Sequence, residues 1–290
     1  MGDSLEIDSV DDARLSQISS YPFEFEPHTT DYAPRNALAC ALASSLSYVS
    51  NKEMVREVAS RWGCEAEFLE NGDPDWGLSL VGEEYVLTAF RGTDDKRDWW
   101  ISNLRVLPAQ SPWGWVHRGF LGAHERLWSD LHRVLDRGNR EKVVWLTGHS
   151  LGGAIAQLTV MRVAADSASS PAAVYTFSQP RAAGRTFAGR VREHGVPYYR
   201  FVSSIDPTPD TPFNPWSTVG SEYYVDASGN IYHDGTASFW NKVKDNISVD
   251  GSLGESREPG LKQLSKTIGI AAHSVERYFE PLYSELKEIG

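Results

Sequence analysis

The sequence predicts an α/β fold, a mostly parallel central sheet with helices on both faces, and three observations carry that prediction. Residues 143–146, Val-Val-Trp-Leu, form a short apolar run without alternation, as expected of a strand covered on both sides. Directly after it the apolar spacing changes to that of a helix, at Leu151, Ala154, Ile155, Leu158 and Met161. Beyond that helix, strand-like and helix-like segments keep alternating without an internal repeat, the doubly wound pattern whose sites lie at strand C-terminal ends.

Composition bounds the reading. At 290 residues the chain is long enough for one large domain, and 41% hydrophobic content with 23% charged residues can fill a core. A net charge of −11 without a Lys/Arg cluster excludes a nucleic-acid surface. It also opposes an anionic membrane surface unless a local patch or apolar face compensates. Residues 1–8 have neither a basic region nor an apolar core of a signal peptide, and Glu6 stands where a myristoylation signal wants Ser or Thr. No apolar run approaches the ~20 residues of a membrane span. Cys40 and Cys64 read as two free buried thiols rather than one disulfide, so a cytoplasmic protein is expected, with a removed leader the alternative.

In chain order, residues 1–30 are acidic with Ser and Pro and read as an irregular arm, and 31–290 as a single domain. Residues 36–48 carry Leu38, Leu42 and Leu46 at helical spacing. Residues 54–62 read as a second helix with Asn51 as its cap. Residues 78–80 and 85–90 form a hairpin turned at Gly82-Glu83-Glu84. Densely charged 94–98 and apolar 99–104 follow. They fit either a surface helix with buried tryptophans or a short amphipathic helix covering a pocket. Trp113 and Trp115 fall in a Pro/Gly loop. Residues 120–135 form an amphipathic helix closed near Gly138, with His124 and His132 expected on its surface, since a spacing of eight suits no shared metal. Strands are expected at 172–177 and 198–202, a helix at 183–194, and an edge hairpin at 223–225 and 231–232. Short helices at 239–247 and 261–268 and a last one at 274–286 complete the chain.

The centre of this order is Gly148-His149-Ser150-Leu151-Gly152-Gly153, where only Gly148-His149-Ser150 stand between a strand and a helix. A bare Gly-x-Ser-x-Gly appears by chance in roughly one chain in ten of this length, so the flanking strand and helix decide the matter. The turn is too sharp for bulky neighbours, and it pushes the Ser150 hydroxyl to the apex beside a helix N-terminus. Ser150 is therefore the candidate nucleophile.

A serine hydroxyl needs a base, and the base needs a carboxylate to fix its tautomer. Over a sheet of this kind the order is Ser, acid, His. His194, His233 and His273 lie downstream; His273, just before the last helix, leads, with His233 the alternative. Asp206 follows strand 198–202 and precedes Pro207, which makes it the leading acid over Asp210, Asp226 and Asp234. The oxyanion needs backbone donors, for which Leu151 and Thr93 are placed. No metal-ligand cluster or cofactor motif is visible, so neither metal nor cofactor is expected.

These pieces together resemble the class 3 lipases, the fungal triacylglycerol-lipase type with bacterial and plant relatives. The matching residues are Ala89-Phe90-Arg91-Gly92-Thr93, Asp98-Trp99 with Asn103-Leu104, Val116-His117-Arg118-Gly119-Phe120, and the Ser150 motif. They continue through Tyr175-Thr176-Phe177-Ser178-Gln179-Pro180-Arg181, Asp206-Pro207-Thr208-Pro209, and His273-Ser274 with Tyr278. The resemblance implies an α/β-hydrolase fold with Ser150, Asp206 and His273 as triad and Thr93 and Leu151 as oxyanion hole. It implies a lid at about 94–104, with Asp98, Trp99, Trp100, Ile101 and Leu104 at the substrate groove. The activity implied is acylglycerol hydrolysis, with a lipid or ester substrate met at a lipid–water interface. A short-chain or aromatic-acid esterase, a phospholipase, or a non-catalytic scaffold are the alternatives. Ser178 departs from the family's usual Gly, Asp98 to Leu104 is one residue longer than the common spacing, and 234–268 is unlike the fungal enzymes.

Overall fold

The computed structural model describes residues 2–72, 75–92, 107–137, 141–166, 170–212, 215–233 and 273–289. Among these, eight strands form the main sheet in the order β1-β2-β3-β6-β7-β9-β11-β12. Its centre is parallel: β3 (Tyr85–Phe90), β6 (Val143–His149), β7 (Pro171–Phe177), β9 (Tyr198–Ser203) and β11 (Ser221–Val225). Antiparallel strands finish both edges, β1 (Glu65–Gly72) and β2 (Asp75–Val81) on one side and β12 (Ile231–His233) on the other. This is the α/β-hydrolase architecture that the resemblance implies.

Period-two alternation divides the central strands between two cores. On one face Leu87, Ala89, Trp145, Tyr175, Phe177 and Phe201 pack under α2 (Pro34–Leu46), α3 (Lys52–Arg61) and α7 (Phe279–Ile289). On the other, Val86, Phe90, Val144, Leu146 and Val174 meet α4 (Arg118–Asp136), α5 (Leu151–Asp166) and α6 (Arg185–His194). Asn51 caps α3 by accepting from the amides of Glu53 and Met54, and Gly195 ends α6 in the left-handed region at φ 78°. Both boundaries agree with the sequence reading.

Four readings need correction. The arm 1–30 is not irregular throughout: α1 spans Gly2–Ser19. It is held by buried Leu15 and Ile18 and by Asp11, whose carboxylate accepts from the amides of Ser50 and Asn51. Two apolar contacts on an acidic helix leave no clear stripe to read. β1 was missed because its alternation pairs Glu with apolar residues, the pattern of a half-exposed edge strand. Trp113 and Trp115 lie not in a loop but within the hairpin of β4 (Pro108–Ser111) and β5 (Gly114–His117), Trp113 in its turn and Trp115 on β5. That hairpin joins β8 (Ala183–Gly184) and β10 (Trp216–Ser217) in a second small sheet. His124, expected on the surface, is buried, while His132 pairs with Asp136 at 3.1 Å on the outside. The short helices expected at 239–247 and 261–268 lie outside the described residues.

Candidate active site

The bend between β6 and α5 is built by absence of side chains. A Cβ on Gly148 would stand 2.4 Å from the backbone carbon of Gly152, and one on Gly152 would stand 1.8 Å from the Phe90 carbonyl oxygen. Strand, helix and neighbouring strand approach at backbone distance there, which only glycine allows. Ser150 sits between them at φ 57°, a left-handed conformation costly for a residue with a Cβ. Its amide is fixed by the Phe177 carbonyl at 2.9 Å, so the strain is held by the sheet. Leu151 opens α5, and its amide is among the helix-start N–H groups without an intrahelical acceptor.

Three distant segments meet at this apex. Ser150 Oγ lies 2.7 Å from His273 Nε2, and His273 Nδ1 lies 2.7 Å from Asp206 Oδ2. The Asp206 carboxylate accepts the Nδ1–H, which leaves Nε2 as the acceptor for the serine proton. Thr208 supports both partners: its amide donates to Asp206 Oδ1 at 3.0 Å, and its hydroxyl stands 3.1 Å from His273 Nδ1. Asp206 is buried. Burial alone would raise its pKa, but the hydrogen bond and charge of His273, then the hydrogen bonds of Ser178 and of the Thr208 amide, hold it below the usual carboxylate range. It stays ionised.

The competitors have other partners. His233 Nε2 bonds Glu285 at 2.8 Å beyond the edge hairpin, and His194 lies on the surface near Ser170. Asp210 pairs with Arg181 at 3.3 Å, and Asp226 closes its own turn by accepting from the amides of Ser228 and Asn230. Asp234 lies outside the described residues, as do Thr93 and the groove candidates Asp98, Trp99, Trp100, Ile101 and Leu104.

Sequence reasoning missed several supports. Ser178 also has a positive φ, 50°, which accounts for glycine being the usual residue at this point of the family pattern. Here its hydroxyl lies 2.8 Å from the buried Tyr278 hydroxyl. His149, beside the nucleophile, is fully enclosed. Burial first, and the neighbouring His273 second, push its pKa well below the ordinary histidine value. Tyr48 Oη meets His149 Nδ1 at 2.9 Å, and the two histidine rings lie 4.7 Å apart. No local sequence signal links Tyr48 to residue 149, because their contact is made by folding. Such an array can take a proton from a serine, hold the positive charge and return the proton to a leaving group.

Comparison with known proteins places this geometry. Residues 87–216 match the family model described as Lipase (class 3). The chain is 33% identical over 154 residues to "Lipase" of Rhizomucor miehei, covering 49% of this chain and 42% of that protein. It is 28% identical over 193 residues to "Galactolipase DONGLE, chloroplastic" of Arabidopsis thaliana, covering 54% and 41%. A solved structure of the Rhizomucor miehei triacylglyceride lipase superposes with a TM-score of 0.57 at 25% identity, over 65% of this chain and 78% of that one. The aligned stretch thus spans less than half the length of these two curated relatives.

Proposed function

From the match of residues 87–216 to the class 3 lipase family model, we propose that this chain is a serine ester hydrolase that cleaves acylglycerols through an acyl-enzyme on Ser150. The observation that carries the proposal is the relay Ser150 Oγ to His273 Nε2 and His273 Nδ1 to Asp206 Oδ2, each 2.7 Å. His273 takes the serine proton as Oγ bonds to the ester carbonyl carbon. The resulting oxyanion is met by the Leu151 amide. As the carbon–oxygen ester bond breaks, His273 gives its proton to the departing alcohol. Water then attacks the acyl group with His273 again as base, and the acid leaves with Ser150 restored.

A second oxyanion donor is assigned to Thr93. The support is local: a Cβ on Gly92 would lie 3.2 Å from the Ser150 Cβ, so the chain passes the nucleophile one residue earlier. Residues 94–104 are assigned the role of a lid on the resemblance to the class 3 lipases, with which their charged-then-apolar sequence is compatible. The substrate class is a lipid ester because the two named relatives are a lipase and a galactolipase. No helix among the described residues is long and apolar enough to cross a membrane. Cys40 and Cys64 are both buried and unpaired, which suits a reducing compartment, and the cytoplasm is the proposed location.

Two measurements test the reading. Ser150→Ala is expected to lose on the order of 10⁶ in kcat while staying folded, and Thr93→Val about 10². Wild-type turnover in the alanine variant would end the proposal. An acyl-chain-length series with and without an emulsion separates lipase from esterase: a lid predicts a jump in rate once substrate forms its own phase, and a short-chain esterase shows none.

A further inference from the structure

The imidazole of His273 is held on one side by Asp206 and Thr208, and what holds the chain behind it comes from the opposite end of the sequence. Glu276, three residues on, is largely buried. Its Oε1 lies 2.5 Å from Arg14 Nη1 of α1 and 2.5 Å from Ser45 Oγ of α2, and its other oxygen accepts from the Ser274 hydroxyl. One cation and two hydroxyls thus converge on a carboxylate that fixes the residue next to His273.

Arg14 also reaches a second support. Its guanidinium stands 4.9 Å from the centre of the Tyr48 ring, with the Arg91 guanidinium at 5.6 Å from the same centre. Tyr48 carries the hydroxyl bonded to His149 Nδ1, and the His149 ring lies against His273. We propose that Arg14 and Glu276 form a latch, closed by the N-terminal helix, that positions the His273 imidazole for proton transfer with Ser150. They are positioning residues that touch no substrate, and the inference rests on the proposed role of His273 as the base.

The latch has a signature that simple structural support lacks. The titratable groups against His273 are Asp206 on Nδ1 and neutral His149, and behind His149 stands Tyr48 with Arg91 over its ring. Arg14 of α1 lies beyond, with Glu276, Arg277 and the neutral Tyr278 on its own segment. With the latch closed, the charges of Arg14 and Glu276 cancel. Removing Arg14 leaves an unbalanced anion that favours the imidazolium, so the acid limb of kcat/KM moves to higher pH. Removing Glu276 leaves an unbalanced cation, and the limb moves to lower pH.

The test compares Arg14→Gln, Glu276→Gln and Arg14→Lys in the full chain on a soluble nitrophenyl ester, with thermal unfolding as the check of folding. Each glutamine variant is expected to lose about 10-fold in kcat with KM within about two-fold, since small displacements of a reacting group are costly. Their acid limbs are expected to move in opposite directions by about half a pH unit. Arg14→Lys, which keeps the cation, restores most of the loss and keeps the idea falsifiable should a glutamine variant fail to fold. Wild-type kcat and an unmoved limb in folded variants overturn the latch while leaving the esterase reading intact. Limbs that shift in the same direction overturn it as well. A wild-type chain without esterase activity overturns both.

Discussion

At Asp206 burial and hydrogen bonding oppose each other, and the bonds prevail. Its folded-state pKa lies below the unfolded value near 3.9, so its ionised form contributes stability above that pH and loses it as pH falls further. Asp206→Asn keeps the shape but removes the charge that fixes the His273 tautomer. A loss of about 10⁴ in kcat with little change in KM is expected from steady-state kinetics on a soluble ester. An asparagine variant within ten-fold of wild type would show that the carboxylate is dispensable. Asp206 was legible because Pro207 and the preceding strand set it at a strand end. Thr208 was in view within the same motif, but its two contacts depend on the path of the turn. Ser178 was visible only as a departure from the family pattern. Its positive φ and its bond to Tyr278 explain how the hydroxyl fits.

Among elements, the β6 bend and α5 were legible because their constraint is local. Two glycines four apart, a strand before and a helix after leave one way to turn. Gly152→Ala is expected to abolish activity and to lower stability by several kcal/mol, because the new Cβ would meet the Phe90 backbone, which cannot move aside. Gly189→Ala is the control. It lies inside α6 with nothing within 4 Å of the added carbon, and a gain of about 0.5–1 kcal/mol is expected in urea unfolding. Equal effects of the two substitutions would contradict the steric account of the bend. Other elements were hidden because their reasons are distant. α1 is anchored by polar contacts, from Asp11 to the start of α3 and from Arg14 to Glu276, which its own sequence does not announce. β4 and β5 are four residues each and pair with each other across a tight turn, too short a pattern to read, and their place in the second sheet depends on the distant pairing of Val116 with Ala183 of β8.

For the molecule as a whole, burial of neutral histidines sets the response to acid. Burial lowers His117 to about 4, and lowers His124 to about 4 with Arg162 adding to it; neither ring nitrogen of His124 has a hydrogen-bond partner among the described residues. Their folded values lie below the unfolded 6.5, so the unfolded chain binds more protons as pH falls from about 6.5 towards 4, and stability is lost across that window. His124→Leu removes a buried group that must be stripped of water, and it is expected to stabilise more at pH 5 than at pH 7 in urea unfolding. An equal change at both pH values would mean that His124 does not take part in the acid response. The parallel sheet, its two cores and the serine at its carboxyl edge all serve one claim, that residues 150, 206 and 273 act as a single nucleophilic unit. The most direct test is labelling with a fluorophosphonate followed by peptide mapping. Modification is expected at Ser150 alone, absent in Ser150→Ala and slowed by orders of magnitude in Asp206→Asn; a label on another residue, or undiminished labelling of Ser150→Ala, would contradict it.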